Sequence, residues 1–282
     1  MRARLRGVGD GIATGLAVLS TILVILPLIA IFVYLVIKGA SSINLAFFTQ
    51  IPKPVGEVGG GMANAIVGSA TLLAVASVLG VPVGIGGGVY LAEFGRGTKL
   101  ANAIRFTADV LNGVPSIVMG IAAYALIVMP QGHFSALAGG VALGIMMIPT
   151  ICRTTEEMLL MVPHQVREAA LGLGVPNWRS VLSITVRTAS PGIITGCMLA
   201  FARVAGETAP LLFTALGNEF WSTSLNEPIA ALPLQIYVYA ISPYDDWHRL
   251  AWAGALVLIF LIVLSVSLVR YVTSRGVLKG AS

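Results

Sequence analysis

Arg203 and Glu207 stand four residues apart in the middle of an otherwise apolar stretch, CMLAFARVAGETAPLLFTAL (197–216), and Arg153 stands in another, IPTICRTTEEML (148–159). A lone arginine at the centre of a bilayer costs roughly 2.5–3.5 kcal/mol on insertion scales, so each is expected to face a water-filled path or a partner. The guanidinium is planar, always charged and forked, and its donors match the oxygens of an oxyanion. The chemistry within reach is anion recognition without a covalent step. On a continuous helix, residues four apart share a face, which makes Glu207 the expected resting partner of Arg203. The structural alternative is a buried Arg203–Glu207 pair that pins helix packing, with Arg153 snorkelling to a membrane surface beside Glu156 and Glu157. Asn112 and Ser116, in LNGVPSIVMG (111–120), are further candidates to line a path, because Pro115 breaks a span there. Asp109 reads as a local cap or pairing residue. Thr154, Thr155 and Thr208 read as hydroxyl donors or as back-bonded helix residues. No nucleophile–base pair and no metal-ligand spacing accompanies them. His133, His164 and His248 are scattered in loops, and Cys152 and Cys197 sit in apolar segments as unpaired thiols.

The elements that must position these residues are membrane spans. Of 282 residues 57% are hydrophobic and 10% charged, with mean hydropathy +0.91, where soluble domains are about a quarter charged. A helix needs about 20 apolar residues to cross a bilayer. Six stretches qualify, at 14–37, 63–91, 104–129, 135–158, 189–216 and 249–271, and Pro82, Pro149, Pro191 and Pro210 are expected to interrupt three of them. With six spans, twelve basic residues fall on one side: Arg2, Arg4, Arg6, Arg96, Lys99, Arg105, Arg167, Arg179, Arg187, Arg270, Arg275 and Lys279. Only Lys38, Lys53 and Arg249 fall on the other, which puts both termini in the cytoplasm of a multi-pass protein of the bacterial plasma membrane. The net charge of +5 is therefore a topology signal and not a nucleic-acid footprint. Trp221, Tyr244, Trp247 and Trp252 cluster near the outer boundary. The outer loop at 39–62 is expected to be irregular, its GEVGGG run (56–61) being either a linker or a backbone anion nest. The loop at 218–248 contains ALPLQIYVYA, too short to span and read as an interfacial or re-entrant helix. The glycine run GIGGGV (84–89) suits close helix packing.

The loop at 159–188 is expected to hold a short helix of about ten residues that starts at Pro163 and stops at Gly172, Gly174 and Pro176. Its Glu168, Ala169, Ala170, Gly174 and Ile184 fit the spacing of the cytoplasmic coupling loop of ABC-importer permeases, although Val186 and Arg187 replace the family's usual leucine and proline. With GGGMANAIVGSATL, LNGVPSIVMG, RTTE, RVAGETAPLLFTAL and FWSTS, nearly the whole chain resembles the PstA-type permeases of phosphate ABC importers. The resemblance implies an all-helical, six-span permease of type I with a cytoplasmic coupling helix. It implies one permease domain over 1–282, with a core at 62–272, a first span at 14–37 and the coupling loop at 159–188. It also implies that Arg153, Arg203 and Glu207 act on phosphate, and that Glu168, Ala169, Ala170 and Gly174 couple to a cytoplasmic ATPase. The partners implied are a PstC-like second permease, a PstB-like ATPase dimer, a PstS-like phosphate-binding protein and membrane lipid. No cofactor is expected in the chain itself, since none of its four lysines completes a Gly-Lys-Ser/Thr phosphate loop, and ATP and Mg would be bound by the partner ATPase. A permease for sulfate, molybdate or phosphonate, or a scaffold for phosphate sensing, are the other readings.

Overall fold

Glycine at every fourth position lets two helices approach to backbone contact, and one such seam organises this chain. The structure, a computed structural model, describes residues 2–57 and 59–279, with side chains described from 11 to 273 apart from 58. The side chains of Arg2, Arg4, Arg6, Arg275 and Lys279 lie outside the described residues. Helix α1 (Arg2–Gly39) is followed by a 3-10 turn (Ala40–Ser42) and the short α2 (Leu45–Thr49), capped by the Asn44 side chain. α3 (Ala63–Val89) continues into a π turn (Tyr90–Phe94). Then come α4 (Lys99–Gly113), α5 (Ser116–Ala123), a second π turn (Tyr124–Val128) and α6 (Met129–Gln131). α7 (Ala136–Leu160) leads to the nine-residue α8 (His164–Gly172). α9 (Asn177–Ser180), a third π turn (Val181–Thr185) and α10 (Val186–Ala205) form one rod. α11 (Ala209–Thr214), α12 (Leu232–Ala240) and α13 (Asp245–Lys279) follow.

Among the described residues, five helices are long and apolar enough to cross a membrane: Gly11–Ser42, Ala63–Phe94, Ala136–Leu160, Asn177–Ala205 and Asp245–Thr273. The sixth expected span, 104–129, is a pair of helices, Lys99–Gly113 and Ser116–Gln131, bent by 109°. Pro115 disfavours helix at the residue before it, and Val114 is extended. The fifth expected span also differs from 189–216. It starts at Asn177, behind Pro176, and stops at Ala205, because Gly206 ends the helix and Pro210 opens the next one. The interruptions expected at Pro82, Pro149 and Pro191 do not occur; each lies inside a continuous helix. One missing N–H does not break a helix whose neighbours hold it on several sides.

α7 is the centre of the molecule, with 67% of its apolar window inside the chain. A Cβ added to Gly80, Gly84 or Gly88 of α3 would meet Gly144 O at 2.9 Å, Ile151 Cβ at 2.7 Å or Thr155 Cβ at 2.5 Å of α7. The glycine run at 84–89 therefore serves packing. On another side of α7, Gly192 and Gly196 of α10 admit Met158 and Thr154. The loop at 218–248 is anchored to α3. The Asn64 side-chain amide donates to the carbonyls of Asn218 (2.9 Å) and Glu219 (3.1 Å), and the Leu232 N–H donates to Ser69 Oγ (2.7 Å). α12, the expected interfacial piece, is largely buried and packs on α13, with Tyr239 stacked on Trp247 at 4.5 Å. α1 stands apart. None of its apolar window is buried, and it is held at its last turns, where Tyr34 meets Trp252 edge-on at 5.2 Å and Gly39 lies on the Trp252 carbonyl.

Candidate functional site

Arg203 lies in the last turn of α10, and Glu207 lies past Gly206 in the break before α11. The helix that would have made them neighbours ends between them. Gly206 N–H reaches Arg203 O (3.4 Å) and Glu207 N–H reaches Val204 O (3.1 Å), three-residue bonds that tighten the last turn. Among the described residues no hydrogen bond or ion pair engages either side chain, so the expected resting pair is not formed. Arg203 is exposed and Glu207 half-buried.

Arg153, by contrast, is engaged on two of its nitrogens. Its Nη1 donates to Glu156 Oε2 at 2.6 Å on the same helix, and its Nε lies 3.0 Å from Asp109 Oδ1 on α4. Glu156 is 3% exposed, and its other oxygen accepts from Arg105 Nε at 2.6 Å. Arg105 also donates to Asn102 Oδ1 (3.2 Å) and to the Leu91 carbonyl (3.1 Å), in the π turn that ends α3. A π turn shifts the backbone bonding from four residues to five, and here Gly95 N–H bonds Tyr90 O while the Leu91 and Ala92 carbonyls accept from Arg105 and Arg96. One turn farther along α4, Asn112 Oδ1 accepts from Thr150 Oγ1 at 3.0 Å. Asn112, Asp109 and Arg105 thus form a polar seam that pairs with Thr150, Arg153 and Glu156 of α7. Ser116 opens α5 beyond the bend and is half-buried. Thr154 back-bonds to Thr150 O (2.8 Å), while the buried Thr155 hydroxyl has no partner.

Thr154 packs on Gly196, and Arg203 follows seven residues later, so it sits roughly 10 Å farther along α10. The two arginines therefore lie at different levels, Arg153 towards the end that carries α8.

α8 is where the loop motif falls. Glu168 and Ala169 are exposed and Ala170 is buried. The helix closes with Val175 N–H on Ala170 O (3.2 Å), Gly174 N–H on Leu171 O (2.9 Å) and Gly174 at φ +76°, the left-handed glycine stop of a Schellman motif. Sequence reading missed what fixes this helix. Arg167 donates to Glu93 Oε1 (2.7 and 3.2 Å) and to the carbonyls of Leu159 and Val162 (2.7 Å each). One half-buried guanidinium thus joins α8 to the π turn after α3 and to the end of α7. Its partners are 74 residues away and at the end of its own preceding helix, so no local spacing reveals the first of them.

The family model described as binding-protein-dependent transport system inner membrane component matches residues 84–276. The phosphate transport system permease protein PstA of Yersinia pestis is 48% identical over 240 residues, 85% of this chain and 81% of that one. The protein of the same name from Haemophilus influenzae is 45% identical over 253 residues, 89% of each chain. The probable PstA of Methanocaldococcus jannaschii is 36% identical over 252 residues, again 89% of each. Among solved structures, an inward-facing MetNI methionine ABC transporter covers 77% of this chain and 95% of its own, with TM-score 0.57 and 21% identity, a likeness of fold. The chain belongs to the family of binding-protein-dependent transport system inner membrane components, among the PstA permeases.

Proposed function

We propose that this chain forms half of the membrane path of an ATP-driven phosphate importer. The observation that carries the reading is Arg203, a guanidinium without a partner among the described residues at the end of an apolar helix, in a protein nearly half identical to proteins named phosphate transport permeases. A phosphate crossing the membrane needs a counter-charge in a low-dielectric passage, and a forked donor offers both charge and hydrogen bonds. Arg153 supplies a second positive group at another level, and Asn112, Ser116 and Glu207 line or tune the route between them. Glu207 acts on the field around Arg203 and not as its bonded partner.

Coupling runs through Glu168, Ala169, Ala170 and Gly174. Leu171, Leu173 and Trp178 expose large apolar surface around α8, which suits a docking face for a partner ATPase. Arg167 makes that face rigid with α3 and α7, so a displacement of α8 reaches the polar seam as a rigid-body movement. ATP and Mg are held by the partner, because no Gly-Lys-Ser/Thr sequence exists in this chain. A second permease, two ATPase copies and an extracytoplasmic phosphate-binding protein complete the assembly, with both termini of this chain in the cytoplasm. The test is ATP-dependent uptake by the assembled transporter in proteoliposomes, with inorganic phosphate and sulfate offered separately. Phosphate uptake coupled to ATP hydrolysis is expected. Equal or greater sulfate uptake would overturn the substrate assignment.

A further inference from the structure

Glu156 is buried between two arginines, Arg105 and Arg153, and these three side chains alone carry one net positive charge. Asp109 supplies the balancing charge. It differs from Glu156 in each relevant respect. Glu156 is 3% exposed, accepts from two guanidiniums and belongs to the central helix. Asp109 is 58% exposed, meets Arg153 as a single ion pair and belongs to α4. The 109° bend between α4 and α5 leaves α4 a separate rod, so a shift of α4 need not carry α5 with it. A carboxylate oxygen and a phosphate oxygen are equivalent acceptors for a guanidinium. What Asp109 presents to Arg153 is therefore what a transported anion would present.

Taking Arg153 as a path residue, as proposed above, we propose that Asp109 is an internal competitor of the transported anion for Arg153. It occupies the positive charge of the cluster while α4 is seated on α7, and it yields that charge to phosphate when α4 shifts. Glu156 and Arg105 are positioning residues that keep the Arg153 guanidinium in place during the exchange. Arg105 also holds the π turn whose Glu93 receives Arg167 of α8, so the seat of α4 is joined to the docking helix by a continuous set of hydrogen bonds.

The test is equilibrium binding of radiolabelled inorganic phosphate to the purified transporter complex, without its binding protein, at low ionic strength. Asp109→Asn and Asp109→Ser are each compared with the unaltered complex, with Asp109→Glu as the variant that keeps the charge. Both neutral variants should bind phosphate about tenfold more tightly, the worth of one charge-assisted contact relieved of competition. Asp109→Glu should bind as the unaltered complex does. The gain should vanish in Arg153→Gln/Asp109→Asn. Unchanged binding in assembled neutral variants overturns the proposal, as does a gain that survives in the double variant. Failure of both neutral variants to assemble while Asp109→Glu assembles would make Asp109 purely structural, and would also overturn it. The reading of Arg153 is tested separately by uptake per assembled complex in Arg153→Gln. Normal uptake there removes the path assignment itself, whereas lost uptake with unchanged binding in Asp109→Asn removes only the competitor role.

Discussion

Arg203 and Arg153 are the same residue type in similar apolar sequence, and their surroundings divide them. Arg153 sits among charges of both signs, so its substitution perturbs folding and function together. Arg203 has no partner among the described residues, so its substitution should leave folding alone. Arg203→Gln is expected to lower phosphate uptake per assembled complex roughly ten- to hundredfold, the equivalent of one charge-assisted contact, with no loss of assembly. Arg203→Lys should keep part of the uptake, because the charge remains while the fork is lost. Reduced assembly of Arg203→Gln, restored by adding Glu207→Gln, would instead reveal a structural pair formed in the complex. The sequence makes both arginines conspicuous, because charge in an apolar stretch is costly wherever it occurs. It shows Glu156 three residues from Arg153 but not that Asp109, on another helix, meets the same guanidinium. Asp109 and Glu156 reach Arg153 from two helices, and the four-residue spacing of Arg203 and Glu207 points to a pair that Gly206 prevents.

At the scale of elements, Gly174 is the sharpest case, because its backbone and not its contacts determines what can replace it. At φ +76° with nothing within 4 Å of a Cβ, a side chain there has room but not the right backbone. Gly174→Val should cost about 1–2 kcal/mol of local stability and unwind the end of α8. Asn, which tolerates the left-handed region, should be mild. The check is uptake and ATPase co-purification with the chain still in the membrane, where Val should lose both and Asn should keep most of each. Normal uptake with Val would detach α8 from coupling. This helix was legible because proline, the Glu-Ala-Ala run and glycine all mark it. The 109° bend was legible in its place, at Asn112–Ser116, but not in its angle. The three π turns left no mark, since no residue type distinguishes a five-residue bond from a four-residue one. Pro82, Pro149 and Pro191 misled for the opposite reason: packing on α7 and its neighbours overrides a local breaker.

At the scale of the whole molecule, five of the six apolar stretches were recoverable as helices long enough to cross a bilayer, the fifth with shifted bounds, while the stretch at 104–129 is the bent pair, and their packing order was not legible. Orientation is tested by single cysteines in a background lacking Cys152 and Cys197. A cysteine at Glu168, which is exposed, should react with an impermeant reagent only after the membrane is opened, whereas one at Phe220 should react from outside. Labelling at position 168 in sealed cells would overturn the six-span orientation. The placement of α1 has a consequence in time. Beyond the adjacent 3-10 turn, its described contacts are with the start of α13, so a helix made early has its seat on one made about 200 residues later. α3 and α7 can close their glycine seam as soon as residue 160 has been synthesised, while α1 must wait in the lipid, tethered by the 39–62 loop, until Trp252 arrives. The docking of Tyr34 against Trp252 then marks a chain that has been synthesised past α13's first turns, a contact that a product cut short before residue 252 could not make.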